Sequence, residues 1–400
     1  MDSITPAEAD KIIAGNLRLL EPERVHFSKA YRGVLREPVL ADRDFPPYDR
    51  VMMDGIAVCL DGSSRVSFVS AGVQRAGIPA QTLPGLDFCF EVMTGAVLPE
   101  GCNAVIPVEE VVESEGKFSL KENFNPEPGQ FIHSQGSDNQ KGDLLLPTGQ
   151  YLAAKEVAVL TTCGYTEVAV TRIPRIVIVS TGDELVEVDA DPGPFQIRKS
   201  NVHALQAACL ALPTPTQIEL HHLPDDRSVI SGSLPGLLKQ ADVLLFSGGI
   251  SKGKYDFLQE VLAEAGVVKH FQWVNQRPGK PLWFGSVKSG PLVFALPGNP
   301  NSTLTCFYRY AASAICALTG IKAKQPEMAF LKLPYRFAPL LAQFLPVKAE
   351  RAETGRLEVE PVATQNSGDL SRLALSDGFI ELPADQKEFP VGFLAPFYPW

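Results

Sequence analysis

From Arg175 onward the chain alternates apolar runs of strand length with stretches of helical pattern. In order these are "RIVIVSTGDEL", Asn201–Ala211, "TQIELHHL", about Asp226–Gln240, "ADVLLFSGG", about Asp256–Ala265, "PLVFALPGNP" and Asn301–Leu318. A strand that is apolar at consecutive positions has to be covered on both faces, and helices between such strands supply the cover. This alternation predicts a doubly wound, mostly parallel α/β sheet over residues 173–322. Function in such a sheet belongs in the loops at the carboxyl ends of the strands.

The flanking segments read differently. Thr5, Pro6 and Glu8 have the spacing of an N-cap, a first helical residue and a capping-box partner, which opens an amphipathic helix near the amino terminus. A second short helix is expected through Phe27–Leu35, ending in the proline-rich "RDFPPYDR". From Ile56 to about Ile132 the runs "VSFVS", "FCFEVM", "AVIPVEEVVE" and "KFSLKE" are short, β-type and separated by Gly, Pro and Asn, the signature of a small hairpin-built β domain. A helix around Ala153–Thr162 and a strand at "TEVAV" then return to the framework begun by the first helix, so the β-rich segment reads as an insertion. The expected organisation is a discontinuous framework domain (1–45 and 141–172), an inserted β-rich domain (46–140), the α/β domain (173–322) and a C-terminal β domain (323–400).

Charge and composition limit the function classes. A net charge of −10 argues against a general nucleic-acid or anionic-membrane surface and confines any polyanion site to a local pocket. The opening "MDSITPAEADKII" lacks a basic segment followed by an apolar core, and no run reaches the roughly 18 apolar residues of a membrane span, so a cytoplasmic protein is expected. Seven widely spaced cysteines without a C-x-x-C read as buried thiols.

Three loops of the α/β segment share a design, in which an apolar strand runs into small or polar residues and then into acids or prolines: "STGDEL", "SGGISKGKYD" and "LPGNPNS". The second, from Gly248 to Tyr255, is one residue short of the G-x-x-x-x-G-K-[ST] phosphate loop, and tyrosine cannot supply the missing magnesium ligand. A glycine-rich strand-to-helix turn still favours anions. Strand ends of this kind converge on one crevice, so Asp183, Glu184, Asp256 and the Pro297–Pro300 turn are expected to face a single ligand. Carboxylates beside an anion turn repel phosphate unless a metal bridges them; the alternative is that each acid only caps the following helix. "HHLPDD" has metal-ligand chemistry, but a strand followed by a Pro turn and an Asp N-cap accounts for it equally; the strand-end Asp225 is the residue of interest. In "QRPGKPLWFG", Arg277 and Lys280 flank a Pro–Gly turn that is either a surface hairpin or a basic phosphate clamp. No G-x-S-x-G is present, and the six histidines stand apart from plausible nucleophiles.

Taken in order and spacing, "PPYDRVMMDGIAV", "VMTGAVLPEGCNAVIPVEE", "IVIVSTGDEL", "DVLLFSGGISKGKYDF", "RPGKPLWFG", "ALPGNPNSTLTCF" and "SGDLSRLALSDGFIELP" resemble the molybdopterin molybdotransferases, the MoeA proteins and the gephyrin E domain. The resemblance spans almost the whole chain. It implies a MoeA-like multidomain fold: an elongated framework domain, an inserted β domain, a molybdopterin-binding α/β domain and a C-terminal β-barrel-like domain, assembled as a homodimer with each active site shared between subunits. It implies a magnesium-dependent enzyme that takes adenylyl-molybdopterin and molybdate, inserts the metal and releases AMP. Molybdopterin adenylyltransferase and a molybdoenzyme or chaperone acceptor are its implied partners, with neither nucleic acid nor membrane. On this resemblance Asp54 and Thr94 act from the inserted domain, and Asp183, Glu184, Asp225 and Asp256 line the crevice, with Asp183, Glu184 and Asp256 on the metal. Gly248, Gly249, Ser251, Gly253 and Lys254 would bind substrate, together with Arg277, Lys280, Pro297, Gly298, Asn299 and Pro300. Some residues depart from the family pattern. Arg50-Val51-Met52 replaces Asn-Ser-Ala, Lys252 and Lys254 replace an apolar residue and an acid, and Lys199 stands where Asp is common. These changes would make the pocket more basic, and two classes stay open: an active transferase, or a non-catalytic molybdopterin-binding paralogue or scaffold.

Overall fold

The structure, a computed structural model, describes residues 3–249, 257–322, 325–363, 366 and 368–400. Its contacts divide into two compact units, one of Met1–Arg36, Tyr151–Ala153 and Val168–Trp400, the other of Glu37–Gln150 and Ala154–Glu167.

The first unit is built on the predicted sheet. Its strands are β1 (Arg175–Thr181), β2 (Gln217–Leu223), β3 (Val243–Ser247), β4 (Val268–Trp273), β5 (Pro281–Ser286) and β6 (Leu292–Leu296), in the spatial order β2-β1-β3-β6-β5-β4. β2, β1, β3 and β6 are parallel, while β5 and β4 close the edge antiparallel. Helices α1 (Ser200–Leu210), α2 (Arg227–Gln240) and α3 (Leu258–Glu264) connect them, and α4 (Pro300–Cys306) follows β6. The strands alternate between two cores. Ile176, Ile178, Val243 and Leu245 pack on the side of α1 and α4, and Val177, Val179, Leu244 and Phe246 on the side of α2 and α3. That two-sided burial is why the central strands β1, β3 and β6 are apolar at consecutive positions, whereas the edge strands β2 and β4 carry polar residues.

The amino-terminal helix, Pro6–Gly15, carries the predicted capping box between Thr5 and Glu8, and its Ala9 and Ile13 join the first of these cores. The helix expected through Phe27–Leu35 is absent. Only a 3₁₀ turn forms at Phe27–Lys29. Arg32 takes a positive φ of 66°, and Val34 and Leu35 form β-bridges to Tyr151 and Val170. Here long-range pairing overrides a helical pattern. The helix expected over Asn301–Leu318 is also interrupted, by a π turn at Phe307–Ala311 that carries Arg309. The Arg309 guanidinium bonds Asp10 at 2.8 and 2.9 Å and Glu381 at 2.9 Å, so it ties the first helix to the C-terminal segment. That segment is a small barrel in which Ala342–Arg351 pairs with both Leu357–Pro361 and Gly378–Leu382 and so closes the ring.

The second unit holds a six-stranded sheet in the order Ala104–Pro107, Gly55–Val58, Phe88–Val92, Ser67–Gln74, Lys117–Leu120, Val111–Ser114. Its last hairpin turns on Glu115-Gly116, both at positive φ, the backbone of a two-residue hairpin turn. Ile56 and Val58 fill one face and Ala57 the other, the two-residue period of a strand. All seven cysteines are free thiols, and burial pushes Cys89, Cys102 and Cys209 up to about 12.

Candidate functional site

The register of the parallel strands aligns their carboxyl ends. Ser180 pairs with Ser247, and Ser247 with Leu296, so Thr181, Gly248 and Pro297 leave the sheet in one layer. The Gly248 N–H donates to the Leu296 carbonyl at 3.1 Å, stitching two of the three loops. Gly248 and Gly249 sit at φ +101° and +72°, and a Cβ on Gly249 would lie 2.9 Å from Thr181 Oγ1. The pair is therefore required twice, by conformation and by space. Thr181 Oγ1 itself is buried and, among the described residues, has no hydrogen-bond partner. A buried hydroxyl left unpaired costs stability, and this one is a donor that a ligand oxygen could satisfy.

Asn201, in the first turn of α1, holds the loops together. Its Nδ2 donates to Ser247 Oγ at 2.9 Å and to the Gly298 carbonyl at 2.8 Å. The Pro297–Pro300 turn opens α4, with Asn299 at the cap and Pro300 first in the helix. Thr303 Oγ1 donates back to the carbonyls of Pro297 and Asn299, so the turn is rigid from within. Of these, Asn201 and Thr181 escaped the sequence reading as functional residues. Their signal was present, since Thr181 lies in "STGDEL" and Asn201 in "IRKSN", but a neutral side chain next to acids draws no attention in a sequence.

The acids gather beside this floor. The Asp225 N–H donates to Asp183 Oδ1 at 3.1 Å. The Glu184 carboxylate folds over Gly182, where a Cβ would come within 2.5 Å of Oε2. Burial, and then the charges of Asp183 and Glu184, push the Asp225 carboxyl upward toward its protonated form. Asp226 is a helix cap, accepting from Ser228 and Val229 N–H at 2.8 and 3.1 Å. Hard carboxylate oxygens that repel one another suit a divalent cation. Among the described residues no three His, Cys, Asp or Glu side chains already close a metal site. Asp256, Ser251, Gly253 and Lys254, with Lys252, lie outside the described residues.

Two of the family departures change meaning in the structure. Lys199 is buried, with Nζ 2.5 Å from Glu187 Oε1, so its positive charge is balanced within its own loop and does not make the crevice basic. Glu187 is held below the usual carboxylate range by this bond. Burial, and then the charge of Lys199, lower the pKa of His222, which lies 3.0 Å from Ser180 Oγ. Val51 is buried in an apolar cluster rather than lining a pocket, and Arg50 bonds His133 Nδ1 at 2.9 Å.

Arg277 and Lys280 are both exposed, with the Arg277 guanidinium 6.0 Å from the Phe337 ring centroid. Their turn is more than a surface hairpin. At Gly279, φ is +81° and a Cβ would lie 2.3 Å from Cys306 Sγ and 3.7 Å from the Ser302 carbonyl, so the turn is pressed against α4. The buried Gln276 side chain completes the contact through Gly279, Cys306 and Tyr310. In the other unit, Asp54 accepts from Thr94 N at 2.7 Å and Thr94 Oγ1 at 2.9 Å, which hold its carboxyl below the ordinary value. Gly55 is required there because a Cβ would meet the Ile106 carbonyl at 1.9 Å.

Residues 4–164 match the MoeA N-terminal region (domains I and II), 177–316 a probable molybdopterin binding domain, and 329–400 the MoeA C-terminal region (domain IV). A molybdopterin molybdenumtransferase of Synechocystis sp. is 39% identical over 400 residues, covering 99% of this chain and 100% of that protein. One of Haemophilus influenzae is 31% identical, covering 93% and 92%. The solved molybdopterin biosynthesis MoeA protein of Pyrococcus horikoshii superposes with a TM-score of 0.83 at 25% identity, over 100% of both chains. With such a relative matched end to end and all three regions in order, this chain belongs to the MoeA family of molybdopterin molybdenumtransferases.

Proposed function

We propose that this protein transfers molybdenum from molybdate into adenylylated molybdopterin and releases AMP, completing the molybdenum cofactor. The observation that carries the reading is the convergence of three strand-end loops, with Gly248 and Gly249, the Pro297–Pro300 turn and the acids Asp183, Glu184 and Asp225 at one end of the sheet, in a chain of this family. The backbone N–H groups of the glycine turn and the Thr181 hydroxyl are donors for phosphate or oxyanion oxygens. Asn201 keeps the two turns in register, and Pro297 and Pro300 keep the wall stiff. Asp183, Glu184 and Asp225, with Asp256, are the side chains that would hold magnesium, which when bound neutralises phosphate charge and favours cleavage of the phosphoanhydride. Asp54, already oriented by Thr94, is a candidate to position the attacking oxygen. Arg277 and Lys280 would meet the dianionic molybdate or the phosphate.

The same reading includes a cytoplasmic homodimer in which Asp54 and Thr94 of one copy serve the crevice of the second. Among the described residues no helix is long and apolar enough to cross a membrane. An adenylyltransferase would supply the substrate, and a molybdoenzyme or its chaperone would accept the product. The test is incubation of the purified chain with adenylyl-molybdopterin, magnesium and molybdate, following AMP. Release that depends on both molybdate and magnesium is expected. Tight binding without AMP release would overturn the catalytic reading in favour of a binding protein.

A further inference from the structure

A cavity of about 520 Å³ lies at the amino-terminal ends of the parallel strands of the α/β sheet. Its lining includes Arg175, which begins β1, Asp242, which precedes β3, and the Ser289–Pro291 turn, which precedes β6. The candidate site lies at the other ends of those strands. Seven residues of β1 separate the two, about 20 Å at a rise of about 3.3 Å per residue.

The lining is basic in a protein whose net charge is −10. Arg18, Arg172, Arg175, Lys239 and Lys288 face one carboxylate, Asp242. They come from four separate stretches of chain: the segment after the first helix, the start of β1, the end of α2 and the turn between β5 and β6. Asp242 is buried and anchors the arginines. Arg172 grips it with two bonds of 2.6 Å, and Arg175 adds longer ones of 3.4 and 3.3 Å from Nε and Nη2. Of the five N–H groups of Arg175, three remain for a ligand. Lys239 and Lys288 are exposed, and neither has an acidic partner among the described residues. Lys239 also complements the carboxyl end of α2, but that effect does not account for Lys288 or the arginines.

The cavity has a second character. Leu238, Ala265 and Val287 supply an apolar wall beside the cations. A volume of several hundred Å³ with one apolar side and a few converging charges is the construction of a small-molecule site. Two anchored guanidiniums and two exposed ammonium groups suit adjacent phosphates, and the apolar wall suits a flat base. We propose that this cavity binds a nucleoside di- or triphosphate, separately from the strand-end site and independently of the reaction assigned there.

The experiment is titration of the full-length protein with ATP, ADP, AMP and inorganic pyrophosphate by calorimetry, repeated on Lys239→Glu/Lys288→Glu. ATP and ADP should bind more tightly than AMP and pyrophosphate, and the double variant should weaken ATP by about tenfold or more, since each reversal replaces an attraction by a repulsion. Lys288→Ala, in an exposed turn, should show a smaller loss in the same direction. AMP release from adenylyl-molybdopterin without added ATP should be unchanged in both variants, which separates this site from the first. Undiminished ATP affinity in the double variant, or no ATP binding by the parent, would overturn the proposal. Pyrophosphate binding as tight as ATP would overturn the assignment to nucleotides.

Discussion

Replacing Asp242 by Asn keeps the shape of a buried side chain and deletes its charge. The carboxylate is 3% exposed, and it accepts two bonds of 2.6 Å from Arg172 and one of 2.8 Å from the Arg175 N–H. Burial alone would raise its pKa. The hydrogen bonds from Arg172 and Arg175 outweigh burial and bring it down to about 2 from 3.8. At about 1.4 kcal/mol per pK unit, that difference is about 2.5 kcal/mol of stability. Because the folded-state value is the lower one, the contribution is complete above pH 3.8 and is lost as pH falls through about 2. Asp242→Asn should therefore cost about 3 kcal/mol at pH 7, at the low end for a broken buried pair because Arg172 and Arg175 retain partial access to water. The assay is urea unfolding followed by tryptophan fluorescence, since Trp273, Trp283 and Trp400 all belong to the first unit. The gap between parent and variant should narrow between pH 4 and pH 2 as the parent's own carboxylate protonates. Equal urea midpoints at pH 7, or a gap that persists unchanged to pH 2, would refute the reasoning.

Gly279→Ala should destabilise the protein by about 2 kcal/mol, because it combines a strained φ with a collision at Cys306, and Cys306→Ala in the same chain should recover the collision part; equal thermal midpoints for the parent and the single variant would count against this. Asn201→Ala should lower the rate of AMP release by about tenfold while moving the thermal midpoint only slightly, since what is lost is alignment of two turns; an unchanged rate would show that the clip has no catalytic consequence. Asp225, whose pKa is raised, holds its proton to higher pH than an ordinary aspartate, so the magnesium needed for half-maximal turnover should increase as pH falls toward 5. Asp225→Asn should flatten that dependence, and a parental pH profile in the variant would exclude Asp225 from the cation site.

Much of this protein was legible in its sequence because the forces involved act over a few residues or repeat along a strand. The capping box at Thr5 and Glu8 is a matter of three-residue spacing, and the doubly wound sheet follows from central strands apolar at consecutive positions. The three strand-end loops were visible for the same reason, since a parallel sheet puts its turns of one kind at one end. Other features depended on partners distant along the chain. Phe27–Leu35 has a helical pattern, yet Val34 and Leu35 are drawn into bridges with Tyr151 and Val170. Lys199 reads as a charge reversal until the pairing of Leu185–Val186 with Ile197–Arg198 brings Glu187 back to it. Val51 reads as an altered pocket residue until the second unit's core closes over it. The basic cavity is the extreme case: its five cations are scattered from Arg18 to Lys288 and no local pattern unites them. Neighbouring residues interact whatever the fold, so their signals survive in the linear sequence, whereas charge balance and cavities exist only once distant segments have been packed together.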